Sequence, residues 1–500
     1  MLTRLRVSGF KNLVDVDISF GPFTCIAGAN GVGKSNLLDA IVFLSALADR
    51  PLLDAALSVR DQGAKTGDIR GLFHHVGDHF DEEMTFEADM IIPEHGADDL
   101  GQQAKATATF VHYALSLRYK SDESARGLGS LELVKEELSH ITLGDASSHL
   151  PFEPSRAWRR RFVKNERRTP KYISTEGDGV DRFIHVHQDG GSSGKPQKLR
   201  AANLPRTVVS AANSAESPTA TLAKREMQSW RLLQLEPSSL REPDNFTSPG
   251  ALASDGAHLP ATLFHLAHAP NGAGADSAAV YSEVANRLSQ LIDDVRSVYV
   301  DRDERRQLLT IYAMGRDGTC YPARALSDGT LRFLALSVLS IEPDPRGVIC
   351  MEEPENGIHP ERIPAMIQLL RDLTTDDQQQ PPDTGEHLRQ VIINTHSPSV
   401  VMQVPEDSLV VAECVEMNEG QVSFQALQLR CLKGTWREKA GSKPIAKGKL
   451  LAYLNPVPPA GGTEWSDSAP AASPEFRRAR RVIDREDISQ FRLPFAEIAE

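Results

Sequence analysis

The stretch that decides the fold is Gly28-Ala-Asn-Gly-Val-Gly-Lys-Ser35, which fits the phosphate-loop pattern G-x-x-x-x-G-K-[ST]. The residues before it, Phe23–Ala27, are apolar and predict a short buried strand. The residues after it, Asn36–Leu47, place apolar side chains at helical spacing. A glycine loop between a strand and a helix turns successive backbone N–H groups toward one point, where the helix N-terminus adds partial positive charge. The sequence therefore predicts an α/β fold with a phosphate-binding loop.

This loop predicts a nucleotide and a metal ion as ligands. Lys34 can reach the β- and γ-phosphates of a nucleotide, and the Ser35 hydroxyl can hold Mg²⁺. ATP and Mg²⁺ are therefore the expected cofactors. The candidate nucleotide-binding residues of the loop are Gly28, Asn30, Gly31, Val32, Gly33, Lys34, Ser35 and Asn36.

The composition is typical of a globular protein. Of its 500 residues, 40% are hydrophobic and 25% are charged, and this length corresponds to roughly two to four domain-sized units. The net charge of −13 argues against a surface coated with nucleic acid, but it allows a local basic groove.

Targeting signals and cysteine spacing indicate the cellular compartment in which the protein is expected. No apolar run approaches the length of a bilayer span, and the N-terminal residues lack the apolar segment of a signal peptide. The five cysteines lie far apart and form no C-x-x-C pair. We therefore expect a cytoplasmic protein with reduced thiols and no membrane partner.

The chain divides into four predicted parts. Residues 1–120 form an N-terminal lobe with a mixed sheet and one main helix, and residues 121–235 are polar and turn-rich, which indicates an inserted arm or lid. Residues 236–436 return to alternating helices and apolar strands and form a C-terminal lobe. Residues 437–500 are predicted as a flexible, linker-like tail and a candidate docking segment for a partner.

Two apolar strands of the C-terminal lobe end in candidate catalytic residues. The segment 347–353 ends in Glu352, which can hold Mg²⁺, and Glu353, which can orient or deprotonate an attacking water. The segment 391–396 ends in His396, which can contact a γ-phosphate. Carboxylates at the end of a central strand lie beside the phosphate loop in such sheets. We therefore expect Lys34, Glu353 and His396 to be catalytic.

A third segment opens a long apolar helix with a Ser-x-Gly turn at Ser327, Asp328 and Gly329. Ser327 suits a helix N-cap, and the exposed N–H groups of the first turn suit an anion. By itself this pattern is also that of an ordinary capped helix. We treat these residues as candidate nucleotide contacts.

A basic segment at 155–172 is a candidate nucleic-acid site. Trp158, Phe162 and Tyr172 are interleaved with basic residues, a pattern that suits phosphate contacts and base stacking. A solvated basic helix that packs on an acidic partner explains the same pattern. The candidate contacts are Arg159, Arg160, Arg161, Lys164, Arg167 and Arg168.

Together these segments resemble the ABC-type ATPase heads of the SMC, RecF and Old families, over residues 1–120 and 236–435. The resemblance is greatest to the AAA-family ATPases of bacterial defence systems such as Septu and certain retrons. It implies a mixed sheet flanked by helices and a head-to-head homodimer, or a higher homo-oligomer, that sandwiches two ATP molecules. The motifs that it assigns are Walker A at Gly28–Ser35, the signature at Ala325–Arg332, Walker B at Glu352 and Glu353, the D-loop at Glu355–Pro360 and the switch histidine at His396.

Three departures from this pattern predict slow hydrolysis. Asp328 puts a carboxylate into the signature, and Glu352 stands where Asp is usual. No Q-loop glutamine can be assigned, since Gln62 aligns poorly.

We therefore predict an ATPase that senses or binds DNA or RNA and regulates a partner effector, such as an HNH nuclease, in anti-phage defence. The chain shows no nuclease motif, so no nuclease activity of its own is expected. The alternatives are a RecF- or SMC-like DNA repair ATPase and a scaffold that ATP stabilises without significant turnover.

Overall fold

The computed structural model describes residues 1–59, 69–121, 129–165, 171–189, 196–268, 277–292, 294–343, 346–378, 387–419 and 422–454. Its strands are β1 (Leu2–Ser8), β2 (Val16–Ser19), β3 (Phe23–Ala27), β4 (His75–Val76), β5 (His79–Phe80), β6 (Glu83–Ile91), β7 (His95–Ala97), β8 (Gln103–Lys105), β9 (Phe110–Lys120), β10 (Ser130–His140), β11 (Ile173–Glu176), β12 (Phe183–Val186), β13 (Gln197–Arg200), β14 (Arg231–Leu233), β15 (Asp244–Asn245), β16 (Val295–Asp303), β17 (Leu308–Gly315), β18 (Cys320–Pro322), β19 (Gly347–Glu352), β20 (Arg389–Thr395), β21 (Leu409–Glu419) and β22 (Val422–Cys431).

The α-helices are α1 (Lys34–Leu47), α2 (Leu52–Ser58), α3 (Ala146–His149), α4 (Arg156–Phe162), α5 (Pro218–Gln228), α6 (Pro237–Arg241), α7 (Leu259–His268), α8 (Ser277–Ser289), α9 (Asp328–Ser340), α10 (Ile363–Asp372), α11 (Pro398–Gln403), α12 (Trp436–Lys439) and α13 (Lys447–Leu454). In the part of the chain that the structure describes, every helix is too short or too polar to cross a bilayer.

A mostly parallel sheet carries the phosphate loop. Its strand order is β14-β19-β20-β3-β21-β22, and only the edge strand β22 runs antiparallel to its neighbour. β3 and β20 are buried along their whole length, which is consistent with the apolar residues 391–393 at the centre of β20 and with the mostly apolar sequence of β3. The carboxyl ends of β3, β19 and β20 meet at one edge, where open α/β sheets bind their ligands. The α/β fold with a phosphate loop is confirmed.

A second sheet is antiparallel and has the order β13-β12-β11-β10-β9-β6-β1-β2. The first 120 residues therefore contribute to both large sheets and to two small ones, β4-β5 and β7-β8, whereas the sequence predicts one mixed sheet. The boundary expected at residues 120 and 121 also differs, because β10 pairs with β9 from Ser130↔Lys120 to His140↔Val111. Strands β10 to β13 extend this sheet, and β14 joins the parallel sheet. A sheet with one solvent-facing side has the polar, uneven sequence that suggested an insertion.

Helix α1 lies between the two sheets. Its buried side chains form one core with those of β1, β2, β6 and β9. Three rings pack together in this core, with centroid distances of 5.8 Å for Phe10–Phe43, 5.5 Å for Phe10–Phe86 and 5.7 Å for Phe43–Phe86. A second core on the other face of the parallel sheet contains α9, α10 and α11, together with a small sheet of β15 to β18. The helix that begins in the phosphate loop is thus fixed by packing on two sides.

The chain after residue 436 packs on the parallel sheet as far as the structure describes it. Arg437 is buried and donates from Nη2 to the Thr24 hydroxyl at 3.1 Å. Leu450 of α13 is buried in the second core. The sequence predicts a flexible tail from residue 437, since residues 456–463 are rich in Pro and Gly, whereas residues 437–454 pack against the core in the structure. Residues 455–500 lie outside the described residues.

Candidate functional site

The phosphate loop has a backbone that glycine makes possible. Gly31 and Gly33 have φ angles of 79° and 103°, which lie in the left-handed region. A Cβ added to Gly33 would lie 2.2 Å from Nδ2 of Asn12. That same Nδ2 donates to the Val32 carbonyl at 3.1 Å, and Asn36 Nδ2 donates to Asn12 Oδ1 at 2.8 Å. Asn12, on the turn between β1 and β2, therefore fixes the phosphate loop through these two hydrogen bonds.

Lys34 lies at the start of α1 with its ammonium group turned into the loop. Its Nζ donates to the carbonyls of Gly28 and Ala29 at 2.8 and 2.7 Å. Burial lowers the pKa of Lys34, while Glu353 and Glu352 favour its charged form. The loop thus contains a positive charge beside the position that its N–H groups face.

Ser35 and Glu352 lie on either side of Asn394. Glu352 ends β19, and its Oε1 accepts from Asn394 Nδ2 at 3.3 Å. The same Nδ2 lies 3.5 Å from Ser35 Oγ, to which it donates. Mg²⁺ is usually held by one or two protein oxygens together with phosphate oxygens and water. A serine hydroxyl beside one carboxylate fits that donor set, so Ser35 and Glu352 are the residues that would hold the ion.

Glu353 adopts a strained backbone and points at two side chains. Its φ of 45° is uncommon for a residue with a side chain, and such strain concentrates at functional sites. Its Oε1 lies 2.7 Å from Nδ1 of His396, and its Oε2 accepts from Asn356 Nδ2 at 3.0 Å. The imidazole and the amide fix this carboxylate at the mouth of the cleft. A carboxylate in such a position can act as a general base.

A cleft of about 560 Å³ joins these groups. It is lined by Asn30, Gly31, Gly33, Lys34, Ser35, Asn36, Leu233, Gln234, Leu235, Glu236, Arg332, Leu336, Met351, Glu352, Glu353, Pro354, Asn356 and Asn394. The structure thus brings together six of the loop residues singled out in the sequence and both Walker B acids. Gly28, Val32 and His396 are not among the lining residues, and His396 forms a hydrogen bond with Glu353, which is.

The turn at Ser327 does not line this cleft. Ser327 caps α9 by accepting from the Thr330 N–H at 3.3 Å, and Asp328 forms an ion pair with Arg241. Ser327 and Asp328 are exposed, and Gly329 packs against the carbonyl of Gly357. These three residues do not line the cleft of their own chain.

The aromatic residues of the basic segment belong to the core. Trp158 and Tyr172 are fully buried, and Phe162 is 7% exposed. The expectation that they stack on bases is therefore wrong: Trp158 and Phe162 lie on the packing face of α4, and Tyr172 belongs to the core beside the antiparallel sheet. Arg160 is exposed, and Arg159, Arg161 and Lys164 are half-buried; Lys164 forms an ion pair with Glu94. Arg167 and Arg168 lie outside the described residues.

The cleft also contains Gln234 and Asn394, which no sequence motif indicates, and Arg332 and Asn356, which the motifs include only as members of the signature and the D-loop. Gln234 directly follows β14 and is exposed toward the cleft, whereas Gln62 lies outside the described residues. Arg332 donates from Nε to the Leu235 carbonyl at 3.1 Å. Asn394 stands at the end of an apolar strand, two residues before His396. A polar residue at that place was the available signal for the site.

Fold and cleft together define a P-loop nucleotide site. Two family models match the chain: "AAA domain, putative AbiEii toxin, Type IV TA system" over residues 188–402 and "AAA domain" over residues 4–136. The DNA replication and repair protein RecF of Anaeromyxobacter sp. (strain K) is 43% identical over 74 residues, which are 14% of this chain and 20% of that protein. The OLD nuclease of Thermus scotoductus is 51% identical over 41 residues, 8% of each chain.

The chain is thus similar, over separate parts of its length, to AAA-family domains and to RecF and OLD proteins. The chain spans about a fifth, or less, of the length of these curated relatives. Among solved structures, the SMC head bound to the C-terminal winged-helix domain of ScpA aligns over 86% of this chain and 98% of that one, with a TM-score of 0.46 and 13% identity.

Proposed function

We propose that the chain binds ATP with Mg²⁺ in this cleft and hydrolyses it slowly. The observation that carries the proposal is the hydrogen bond of 2.7 Å between Glu353 and His396, at the mouth of a cleft that also contains Lys34 and Ser35. A phosphate loop alone supports binding. A carboxylate fixed opposite the loop supports the activation of water, which hydrolysis requires.

The roles of the residues follow from their positions. Loop N–H groups and Lys34 bind the phosphates, and Ser35 and Glu352 hold Mg²⁺, which would neutralise the charge that develops on them. Glu353 orients or deprotonates the water, while His396 and Asn356 orient Glu353. Gln234 and Arg332 face the same space from the side of β14 and α9.

We further propose that two copies meet head to head. Ser327 and Asp328 are exposed and lie outside the cleft of their own chain. The N-terminus of α9 suits an anion, so the partner that these residues fit is the nucleotide of a second copy. Asp328 places a carboxylate there, which would weaken this contact and slow turnover.

The proposed role is that of a cytoplasmic switch in anti-phage defence. ATP-driven association would control a partner effector, such as an HNH nuclease, with DNA or RNA bound at the basic helix α4. Support comes from the match to an AAA domain described with the AbiEii toxin and from the exposed Arg160 on α4. The similarity to RecF proteins favours a second candidate, an ATPase of DNA replication and repair.

The test compares Lys34→Ala and Glu353→Gln with Glu304→Gln, a control on the exposed turn between β16 and β17. Lys34→Ala should abolish ATP binding. Glu353→Gln should bind ATP and lose hydrolysis, and the control should match wild type. Unaltered hydrolysis in both site variants would refute the proposal. Hydrolysis by wild type well above ~1–100 per second would refute a slow switch. If Glu353→Gln retained full biological function, ATP would act as a scaffold ligand.

A further inference from the structure

Asn394 is a buried amide at the centre of the site. It lies in β20, between β19 and β3, and is 2% exposed. Its Nδ2 donates to Glu352 Oε1 at 3.3 Å and to Ser35 Oγ at 3.5 Å. Its Oδ1 accepts from the Glu353 N–H at 3.2 Å. One side chain therefore contacts both residues that would hold the metal ion and the residue that would activate water.

We propose that Asn394 is a positioning residue for the divalent cation and the general base. The proposal rests on the function proposed above and adds a residue to that site. Asn394 sets the separation of the Ser35 hydroxyl and the Glu352 carboxylate, so that both oxygens are in place before Mg²⁺ arrives. It also fixes the backbone turn that aims Glu353 at the cleft.

The chemistry of an amide suits this place. An NH₂ group has two hydrogens, which match the two acceptor oxygens of Ser35 and Glu352. The group is neutral, so it adds no charge beside the carboxylates of Glu352 and Glu353. A buried donor or acceptor without a partner is costly, and Asn394 uses both ends of its amide. Removing the amide would leave the two metal ligands without the group that spaces them.

The second contact reaches Glu353 through its backbone. The Glu353 N–H also donates to the main-chain carbonyl of Asn394 at 3.0 Å. Residue 394 thus binds this N–H with both its backbone and its side chain. These contacts hold Glu353 at a φ of 45°, a conformation that persists only where the surroundings determine it. The metal ligands and the base are therefore set by one side chain.

Gln390 provides a matched control in the same strand. It is also a buried amide, but its Nε2 donates to the carbonyls of Leu2 and Gly21, each at 2.8 Å. These contacts join the two sheets at the end of β20 away from the cleft. A substitution there should affect folding without affecting the metal.

The experiment measures binding of a fluorescent ATP analogue to the full chain, in a Mg²⁺ titration and in EDTA. Asn394→Leu, which keeps the approximate shape, should raise the Mg²⁺ concentration needed for tight binding by about 10- to 100-fold, the usual effect of removing a group that orients a metal ligand. Binding in EDTA should change by less than about threefold, because the loop and Lys34 are intact. Asn394→Ser, a smaller polar variant, should change the titration in the same direction.

Gln390→Leu should lower the melting temperature and leave the Mg²⁺ titration unchanged. If Asn394→Leu does not fold, the Mg²⁺ titration of Asn394→Ser tests the proposal in its place. A wild-type titration in the folded variant overturns the inference while the proposed function stands. A wild type that binds the analogue equally well with and without Mg²⁺ overturns both.

Discussion

His396 Nδ1 and Glu353 Oε1 lie 2.7 Å apart, and this bond is how the histidine contacts the cleft. We predict that His396→Ala lowers ATP hydrolysis by roughly tenfold or more, because Glu353 loses the group that orients it. ATP binding should remain within a few-fold of wild type, since His396 does not line the cleft. Steady-state ATPase assays and equilibrium binding measure the two effects. An equal loss of both would mean that His396 contacts the nucleotide itself.

Gly33→Ala should weaken ATP binding by well over tenfold. Its Cβ would overlap Asn12 Nδ2 at 2.2 Å, and its φ of 103° is unfavourable for alanine. Gly31→Ala is the matched comparison, because its φ is 79° but its Cβ would meet no atom within 4 Å. This variant incurs backbone strain alone, about 1–2 kcal/mol. Isothermal titration calorimetry with ATP compares the affinities of the two variants. A greater loss of affinity in Gly31→Ala than in Gly33→Ala would contradict the role of Asn12.

Ser327→Arg should prevent ATP-dependent dimerisation and leave ATP binding by the monomer intact. The residue is exposed at the N-terminus of α9, so a bulky cation there obstructs the proposed second copy without reaching its own cleft. Light scattering of Glu353→Gln, with and without Ser327→Arg, in saturating ATP measures the association. A double variant that still dimerises would remove this turn from the interface.

Neutralising Arg159, Arg160 and Arg161 together should weaken DNA or RNA binding. Each lost phosphate contact lowers the slope of log K against log salt by about one. Trp158→Ala should behave differently, because this buried ring contributes to folding and its loss costs about 3–5 kcal/mol of stability. Filter binding over a salt series and thermal melting distinguish the two. An unchanged salt slope in the arginine variant would exclude α4 as the site.

Glu136 makes stability depend on pH. It is fully buried in β10, and burial raises its pKa to about 7 from the ordinary 4.5, against opposing N–H bonds from Val208 and Val209. Below about pH 4.5 its stabilising contribution is complete. As the pH rises to about 7, the unfolded chain releases this proton first, and on the order of 3 kcal/mol of stability is lost.

Glu136→Gln removes this titration. The melting temperature of the variant relative to wild type should therefore increase between pH 5 and pH 8. Glu132→Gln, in the same strand but partly exposed, should show no such trend. A pH-independent difference between Glu136→Gln and wild type would show that the carboxylate is charged throughout.

The sequence was informative where the determinants are local. Loop, strand end and helix cap each lie within a few residues, so Lys34, Ser35, Glu352 and Glu353 could be assigned by pattern. Asn394 and Gln234 could not, because their importance comes from strands that meet only in the folded sheet. The burial of Trp158 cannot be predicted for the same reason: an aromatic residue among arginines has the same sequence pattern whether its ring faces solvent or the core.

The placement of β3 has a consequence for biosynthesis. This strand is synthesised long before its neighbours in the sheet, β20 and β21, which end at Thr395 and Glu419. Until those strands have left the ribosome, β3 exposes two unpaired edges and an apolar surface, a state that is prone to aggregation. The phosphate loop can therefore take its place at the edge of the sheet only after β20 and β21 have been translated. A stalled or truncated chain would bind no nucleotide and would depend on chaperones.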